Sequence, residues 1–228
     1  MPVKYTKSFT LRYFIISALV ISADLFQNHT LEYFLKPLLM INLMLWYWIN
    51  APKPAGKLTI IVLVSLFFSC CGDVFLMIKP TSQILFISGL VSFLVAHLLY
   101  IRAYRLTSLP ITQGIFRKSW WLLIPFVVFE IALLYLLSPN LKDLAIPVSV
   151  YATVLLLMAV YALNRYGVVP EISFRAVFIG ALVFVVSDSL IAINKFYQPV
   201  PLARVWIMGT YCLSQWLIVW GLMKGDKW

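Results

Sequence analysis

Charged residues and familiar catalytic motifs are scarce in this sequence of 228 residues. Only 11% of the residues are charged, and there are eight acidic side chains and two histidines. No GxSxG, HExxH, Walker A or GxGxxG pattern occurs, which excludes at motif level a serine lipase, a zincin protease and a nucleotide- or dinucleotide-binding enzyme. Any catalysis must therefore come from carboxylates, and we expect no cofactor.

Cysteine is also rare and is poorly spaced for covalent or metal chemistry. Of the three cysteines, Cys70 and Cys71 are adjacent and Cys212 lies far along the chain. This spacing supports neither a disulfide framework nor a zinc site. We interpret the cysteines as small packing residues and expect no bound metal.

Apolar residues are abundant and occur in long runs. Hydrophobic residues make up 63% of the sequence and aromatic residues 16%. Because a helix needs about 20 mostly apolar residues to cross a bilayer, these runs predict an all-α polytopic membrane protein of eight transmembrane helices in one bundle, forming a single domain over residues 1–228. The predicted spans are residues 9–26, 31–50, 58–79, 83–104, 119–138, 143–164, 174–197 and 201–223.

The basic residues predict the orientation of these spans. The net charge is +10, but the cations are scattered in short connectors, so nucleic acid is not an expected partner. With eight spans, 13 of the 18 Lys and Arg residues fall on the side of the two termini and five on the other. The positive-inside rule then places both termini in the cytoplasm. The small size and the absence of long polar tails favour a bacterial inner membrane.

Six ionisable side chains lie at membrane depth, where their cost makes a functional role the default hypothesis. They are Lys36, Asp73, His97, Glu130, Asp188 and Lys195. The three carboxylates lie about 9 to 13 Å from the outer ends of their spans, and Lys195 is about 10 Å closer to the outer surface than Asp188. Lys36 has a height similar to that of Lys195. Cations above carboxylates suit an amphiphile with an anionic head, such as a lysophospholipid.

Several of these positions also permit a structural interpretation. Ser65, Ser69 and Asp73 follow an i, i+4, i+8 spacing, and Tyr211 and Gln215 form a similar pair in the last span. Such stripes can serve interhelical hydrogen bonding in lipid. Asp73 and Asp188 could likewise form structural ion pairs with Lys36 or Lys195.

His97 and Glu130 each permit more than one role. His97 lies about 12 Å deeper than Asp73, so a metal site of Asp73, His97 and Asp188 would be strained, and a hydrogen-bond partner or proton relay is preferred. Glu130 has no polar companion on its span except Ser138. It is either a third site residue or a carboxyl group kept neutral by desolvation.

Four short motifs resemble those of the YhhN family of multi-span membrane proteins. They are KP at 36–37, GD at 72–73, SFLVAHLLY at 92–100 and SDSLIAINKF at 187–196. The characterised animal members of that family are lysoplasmalogenases. The resemblance implies hydrolysis of the vinyl ether bond of lysoplasmalogens, with Lys36, Asp73, His97, Asp188 and Lys195 as the matching residues.

The residues and the resemblance together suggest a mechanism that uses two carboxyl groups. Vinyl ether hydrolysis passes through an oxocarbenium ion, which glycosidases also meet with one acidic and one ionised carboxyl group. We expect Asp73 and Asp188 to be this pair. Substrate binding is expected from the remaining candidates, Lys36, Lys195, His97, Glu130, Tyr211 and Gln215.

Two other classes of function remain open at this stage. The same carboxylates could titrate with a coupled proton in a transporter or flippase. The protein could also be a structural or lipid-binding membrane protein whose ion pairs specify packing. The expected partners are a lysophospholipid and membrane lipids, and no oligomeric state is predicted.

Overall fold

A computed structural model describes residues 6–52, 54–78 and 82–225 of the chain. Four lysines used in the orientation argument, Lys4, Lys53, Lys79 and Lys227, lie outside these residues. Within the described ranges the secondary structure is helical throughout, with no β-strand. The α-helices are α1 (Thr6–Leu25), α2 (His29–Asn50), α3 (Lys57–Ile78), α4 (Gln83–Leu106), α5 (Ile124–Leu141), α6 (Ala145–Leu163), α7 (Glu171–Phe196) and α8 (Ala203–Gly225).

Local sequence explains where two of the helices begin. The Asn28 side chain accepts a hydrogen bond from the Leu31 backbone N–H at 3.2 Å and so caps the start of α2. Pro125 lies in the first turn of α5, where its missing N–H costs no intrahelical bond. The sequence predicted this helix from residue 119, but residues Trp120–Leu123 form a short 3-10 helix before α5 begins.

Six segments in the described part of the chain are long and apolar enough to cross a membrane. They are Thr6–Leu25, Lys57–Ile78, Gln83–Leu106, Trp120–Leu163, Glu171–Phe196 and Ala203–Gly225. The segment Trp120–Leu163 contains both α5 and α6, and α2 is not among the six. The protein is an all-helical integral membrane protein.

The chain divides into two compact units. In the first, which ends at Leu99, α2 packs against both α1 and α3. In the second, which begins at Tyr100, the most extensive packing is between α7 and α8. Gly221 permits this approach, because a Cβ atom at that position would lie 2.8 Å from the Cβ of Ala176. Small residues allow helix backbones to come close in the same way in other membrane proteins.

Candidate functional site

Asp73 lies at the end of a buried polar stripe on α3. Ser65 and Ser69 are fully buried, and Asp73 is only 8% exposed. The Ser65 hydroxyl donates a hydrogen bond to the Ala96 carbonyl of α4 at 2.9 Å. The three polar residues therefore share one buried face, as their spacing predicted, and Ser65 has the interhelical role that the structural interpretation gave it.

The glycine before Asp73 brings α4 close to α3. A Cβ atom at Gly72 would lie 2.5 Å from the ring of Phe93, so only glycine leaves room for this ring. His97 follows Phe93 by one turn of α4, and the two rings are stacked with centroids 6.5 Å apart. His97 is fully buried. The GD motif and the stretch around His97 thus pack together within the first unit.

Lys36 pairs with a carboxylate of its own helix. Its ammonium group forms a salt bridge with Glu32, one turn earlier on α2, and both side chains are largely buried. His29 Nδ1 lies 3.5 Å from the same carboxylate. Sequence reasoning left Glu32 out of the candidates, although the Glu–Lys spacing of four residues is the usual signature of such a pair.

Asp188 is bonded to a tyrosine of the neighbouring helix. The Tyr151 hydroxyl of α6 donates a hydrogen bond to Asp188 Oδ2 on α7. Tyr151 is buried, whereas Asp188 is half-buried. No spacing in the sequence pointed to Tyr151, because its partner comes from a different helix.

Glu130 on α5 also receives a hydrogen bond from α6. The donor is the Thr153 hydroxyl, whose oxygen also lies 3.0 Å from the Ser149 carbonyl oxygen. The sequence showed no companion for Glu130 on its own span. The companion lies on the next helix instead.

The two polar residues of α8 lie in the interior of the second unit. Gln215 is fully buried, and its Oε1 accepts a hydrogen bond from the Tyr100 hydroxyl at 2.7 Å. Tyr211 packs edge-on against Phe184 of α7, with ring centroids 5.6 Å apart. Both residues therefore contribute to packing between helices.

Lys195 lies near the surface at the end of α7. Its side chain is exposed, and α7 ends one residue later at Phe196. Two helical turns, about 10 Å, separate Lys195 from Asp188 along the helix axis. Across the described ranges, no group of three or more His, Cys, Asp or Glu side chains is placed to hold a metal ion.

Together these features define a polytopic helical membrane protein with acidic side chains in its apolar helices. The model of the YhhN family matches residues 31–222, and the chain belongs to this family.

Two curated relatives show the extent of the similarity. The chain is 35% identical over 162 residues to lysoplasmalogenase TMEM86A of Bos taurus, which covers 69% of this chain and 62% of the relative. It is 30% identical over 189 residues to lysoplasmalogenase TMEM86B of Homo sapiens, which covers 82% of this chain and 73% of the relative. The matched region thus spans less than two thirds of the bovine protein. No solved structure matches the chain.

Proposed function

We propose that the protein is a lysoplasmalogenase-like hydrolase of the membrane. It would cleave the vinyl ether bond of lysoplasmalogens to a fatty aldehyde and glycerophosphocholine or glycerophosphoethanolamine. The observation that carries this proposal is the similarity to proteins named lysoplasmalogenase over 162 and 189 residues. The hydrogen-bonded carboxylate Asp188 supports it, because the reaction needs acid and base groups inside an apolar protein.

The reaction consumes one water and proceeds through four proton transfers. A carboxyl group first gives its proton to the vinyl carbon beta to the ether oxygen, which leaves an oxocarbenium ion. A carboxylate then takes a proton from the attacking water, whose oxygen bonds to the cationic carbon and forms a hemiacetal. The hemiacetal loses its hydroxyl proton and breaks its bond to the glycerol oxygen, which takes up a proton. The products are the aldehyde and the free glycerol hydroxyl group.

We assign the two carboxyl groups to Asp73 and Asp188. Each lies in an apolar helix, Asp73 on α3 and Asp188 on α7. A carboxyl group in such a place is costly to retain without a function. In this proposal one of the two donates the first proton and the other activates the water.

Phosphate binding is assigned first to Lys195. This side chain is exposed, and its separation of about 10 Å from Asp188 suits the reach from a lipid phosphate to its sn-1 linkage. Lys36 is a weaker candidate than the sequence suggested, because it is paired with Glu32. His97, Glu130, Tyr211 and Gln215 stay predicted substrate-binding residues.

We further propose eight membrane spans in one domain, with both termini in the cytoplasm of a bacterial cell. The segment Trp120–Leu163 has 44 residues, about twice the length that one span requires. The short 3-10 helix Lys142–Leu144 separates its two helices. Counting α5 and α6 separately gives seven spans, and α2 would be the eighth.

Substitution of the two aspartates tests the proposal. Asp73→Asn and Asp188→Asn should each abolish aldehyde release by the folded protein, and Lys195→Ala should mainly raise KM. Asp143→Asn is the matched control, because Asp143 is exposed in the connector between α5 and α6. If both Asp73→Asn and Asp188→Asn release aldehyde as fast as the Asp143→Asn control, the proposed mechanism is wrong. Lipid movement across liposomes without aldehyde would favour the transporter hypothesis instead.

A further inference from the structure

A cavity of about 280 Å³ lies where α4 ends, entirely within the second unit. The residues that give it its chemistry are Arg102, Arg105, Ser108, Thr112 and Tyr161. Among the described residues no carboxylate lines it. The cavity therefore combines two positive charges with hydroxyl donors and no acidic side chain.

The two arginines are held on one face of α4. They are three residues apart, which places them on the same side of the helix, and both are exposed. The Arg105 guanidinium lies 5.9 Å from the centroid of the Tyr161 ring, so it is held over the cavity. Two like charges one turn apart repel each other. An anion bound between them would relieve this repulsion.

The loop after α4, which also lines the cavity, is fixed by hydrogen bonds from two neighbouring residues. Asn164 donates from Nδ2 to the Leu109 carbonyl at 2.8 Å. Arg165 is fully buried and donates from Nε to the Thr107 hydroxyl at 3.0 Å. Both bonds hold the loop before any ligand arrives. A site that is already ordered loses less conformational entropy when it binds a ligand.

This cavity lies far from the predicted headgroup site at Lys195. Arg165 also donates from Nη2 to the Ser173 hydroxyl at 3.0 Å, so the loop is tied to the beginning of α7. Lys195 follows Ser173 by 22 residues on the same helix, a rise of about 33 Å. The cavity is therefore at the opposite end of a membrane-spanning helix and is not part of the proposed catalytic site.

We propose that this cavity binds a phosphate group, carried by an anionic lipid at the membrane surface. Arginine pairs with phosphate through two parallel hydrogen bonds, and Ser108 and Thr112 can supply further donors. The volume is near the lower end of the range for ligand pockets, so it suits a headgroup and not acyl chains. The cavity adjoins the end of α4, and Leu106 and Leu109 are exposed beside it. Basic pockets at the ends of membrane helices bind anionic headgroups in this way.

The test uses the full-length protein in nanodiscs of phosphatidylcholine, with and without phosphatidic acid. Binding of phosphatidic acid is measured by displacement of a fluorescent anionic lipid, and inorganic phosphate is titrated as a separate competitor. The double variant Arg102→Gln/Arg105→Gln should bind phosphatidic acid at least about tenfold more weakly, because charge-assisted hydrogen bonds are lost. The single variant Arg102→Gln should lose part of the affinity for phosphatidic acid. It keeps the contact of Arg105 with the Tyr161 ring.

The matched control is Arg117→Gln/Lys118→Gln, which removes two exposed cations of the same connector that do not line the cavity. Near wild-type binding by this control supports the site. If inorganic phosphate competes fully and phosphatidic acid has no advantage, the cavity binds a soluble phosphate and the assignment to a lipid is overturned. Equal weakening in the control and in the cavity variant would overturn the proposal, because it would show general attraction to a basic surface. None of these outcomes depends on hydrolase activity.

Discussion

Hydroxyl groups satisfy two of the membrane-embedded carboxylates in the second unit. Asp188 accepts a hydrogen bond from Tyr151, and Glu130 accepts one from Thr153. A carboxylate taken out of water without such bonds costs several kcal/mol, on the order of the total stability of many domains. These hydroxyl groups are thus part of the reason that the acids are tolerated.

Tyr151→Phe tests whether this bond contributes to catalysis. The variant keeps the buried ring and removes the hydroxyl, so Asp188 loses one donor. Hydrogen bonds to charged groups contribute about 1.5 to 3 kcal/mol, which corresponds to a loss of roughly 10- to 160-fold in kcat/KM if it is fully expressed in the transition state. The value of kcat/KM is measured from rates of aldehyde release by the variant and the wild type.

Tyr135→Phe is the matched control for that variant. Tyr135 is 82% exposed on α5, so loss of its hydroxyl should leave kcat/KM unchanged. If Tyr151→Phe also retains the wild-type value while the protein stays folded, the hydroxyl has a packing role only.

Some site residues could be predicted from spacing and others could not. Ser65, Ser69 and Asp73 were placed on one face because a helix repeats every 3.6 residues. The role of Tyr151 could not be predicted, because a contact between different helices leaves no pattern in a single sequence. Arg165 was taken as a charge that orients the chain, yet it is fully buried and bonds to two hydroxyl groups.

At the scale of helices, α6 connects two neighbours through opposite faces. Tyr151 and Thr153 are two residues apart, which turns their side chains by about 200° around the helix axis. One reaches α7 and the other reaches α5. A single helix thus positions both Asp188 and Glu130, so changes in α6 should affect both acids.

Packing of α3 against α4 depends on Gly72. A Gly72→Leu variant must displace the buried ring of Phe93, and overpacking of this kind costs about 1 to 3 kcal/mol. We expect a thermal unfolding midpoint several degrees lower in detergent. Adding Phe93→Ala to the variant should recover part of the loss, because the added side chain then has space.

Gly209→Leu is the control for the Gly72→Leu variant. A Cβ atom built at Gly209, which like Gly72 lies within a helix, would point into open space. Its unfolding midpoint should stay close to that of the wild type. Equal lowering of the two midpoints would show that the contact with Phe93 does not set the effect, because leucine favours a helix more than glycine does.

The helix positions followed closely from runs of apolar residues and from the Pro, Gly and Asn residues between them. The largest difference is at α5, which was expected from residue 119 and begins at Ile124. The residues before it are apolar enough to extend the run, but Pro125 removes a backbone donor and favours a helix start at this point. Hydropathy alone could not show this boundary.

For the whole molecule, the orientation in the membrane is the main remaining prediction. The balance of cations predicts that both termini lie in the cytoplasm. A periplasmic reporter enzyme fused after Trp228 or within residues 107–114 should be inactive in a bacterial host, whereas one inserted at 198–201 should be active. Activity of the fusion after Trp228 would contradict the eight-span topology.

The central claim is that this chain hydrolyses a vinyl ether. The most direct measurement is mass spectrometry of aldehyde released by the purified full-length protein from a lysoplasmalogen and from its saturated ether analogue. The saturated analogue has no carbon–carbon double bond to protonate, so it cannot form the oxocarbenium ion. We predict aldehyde from the lysoplasmalogen and none from the analogue. No aldehyde from the lysoplasmalogen, from protein shown to be folded, would contradict the account.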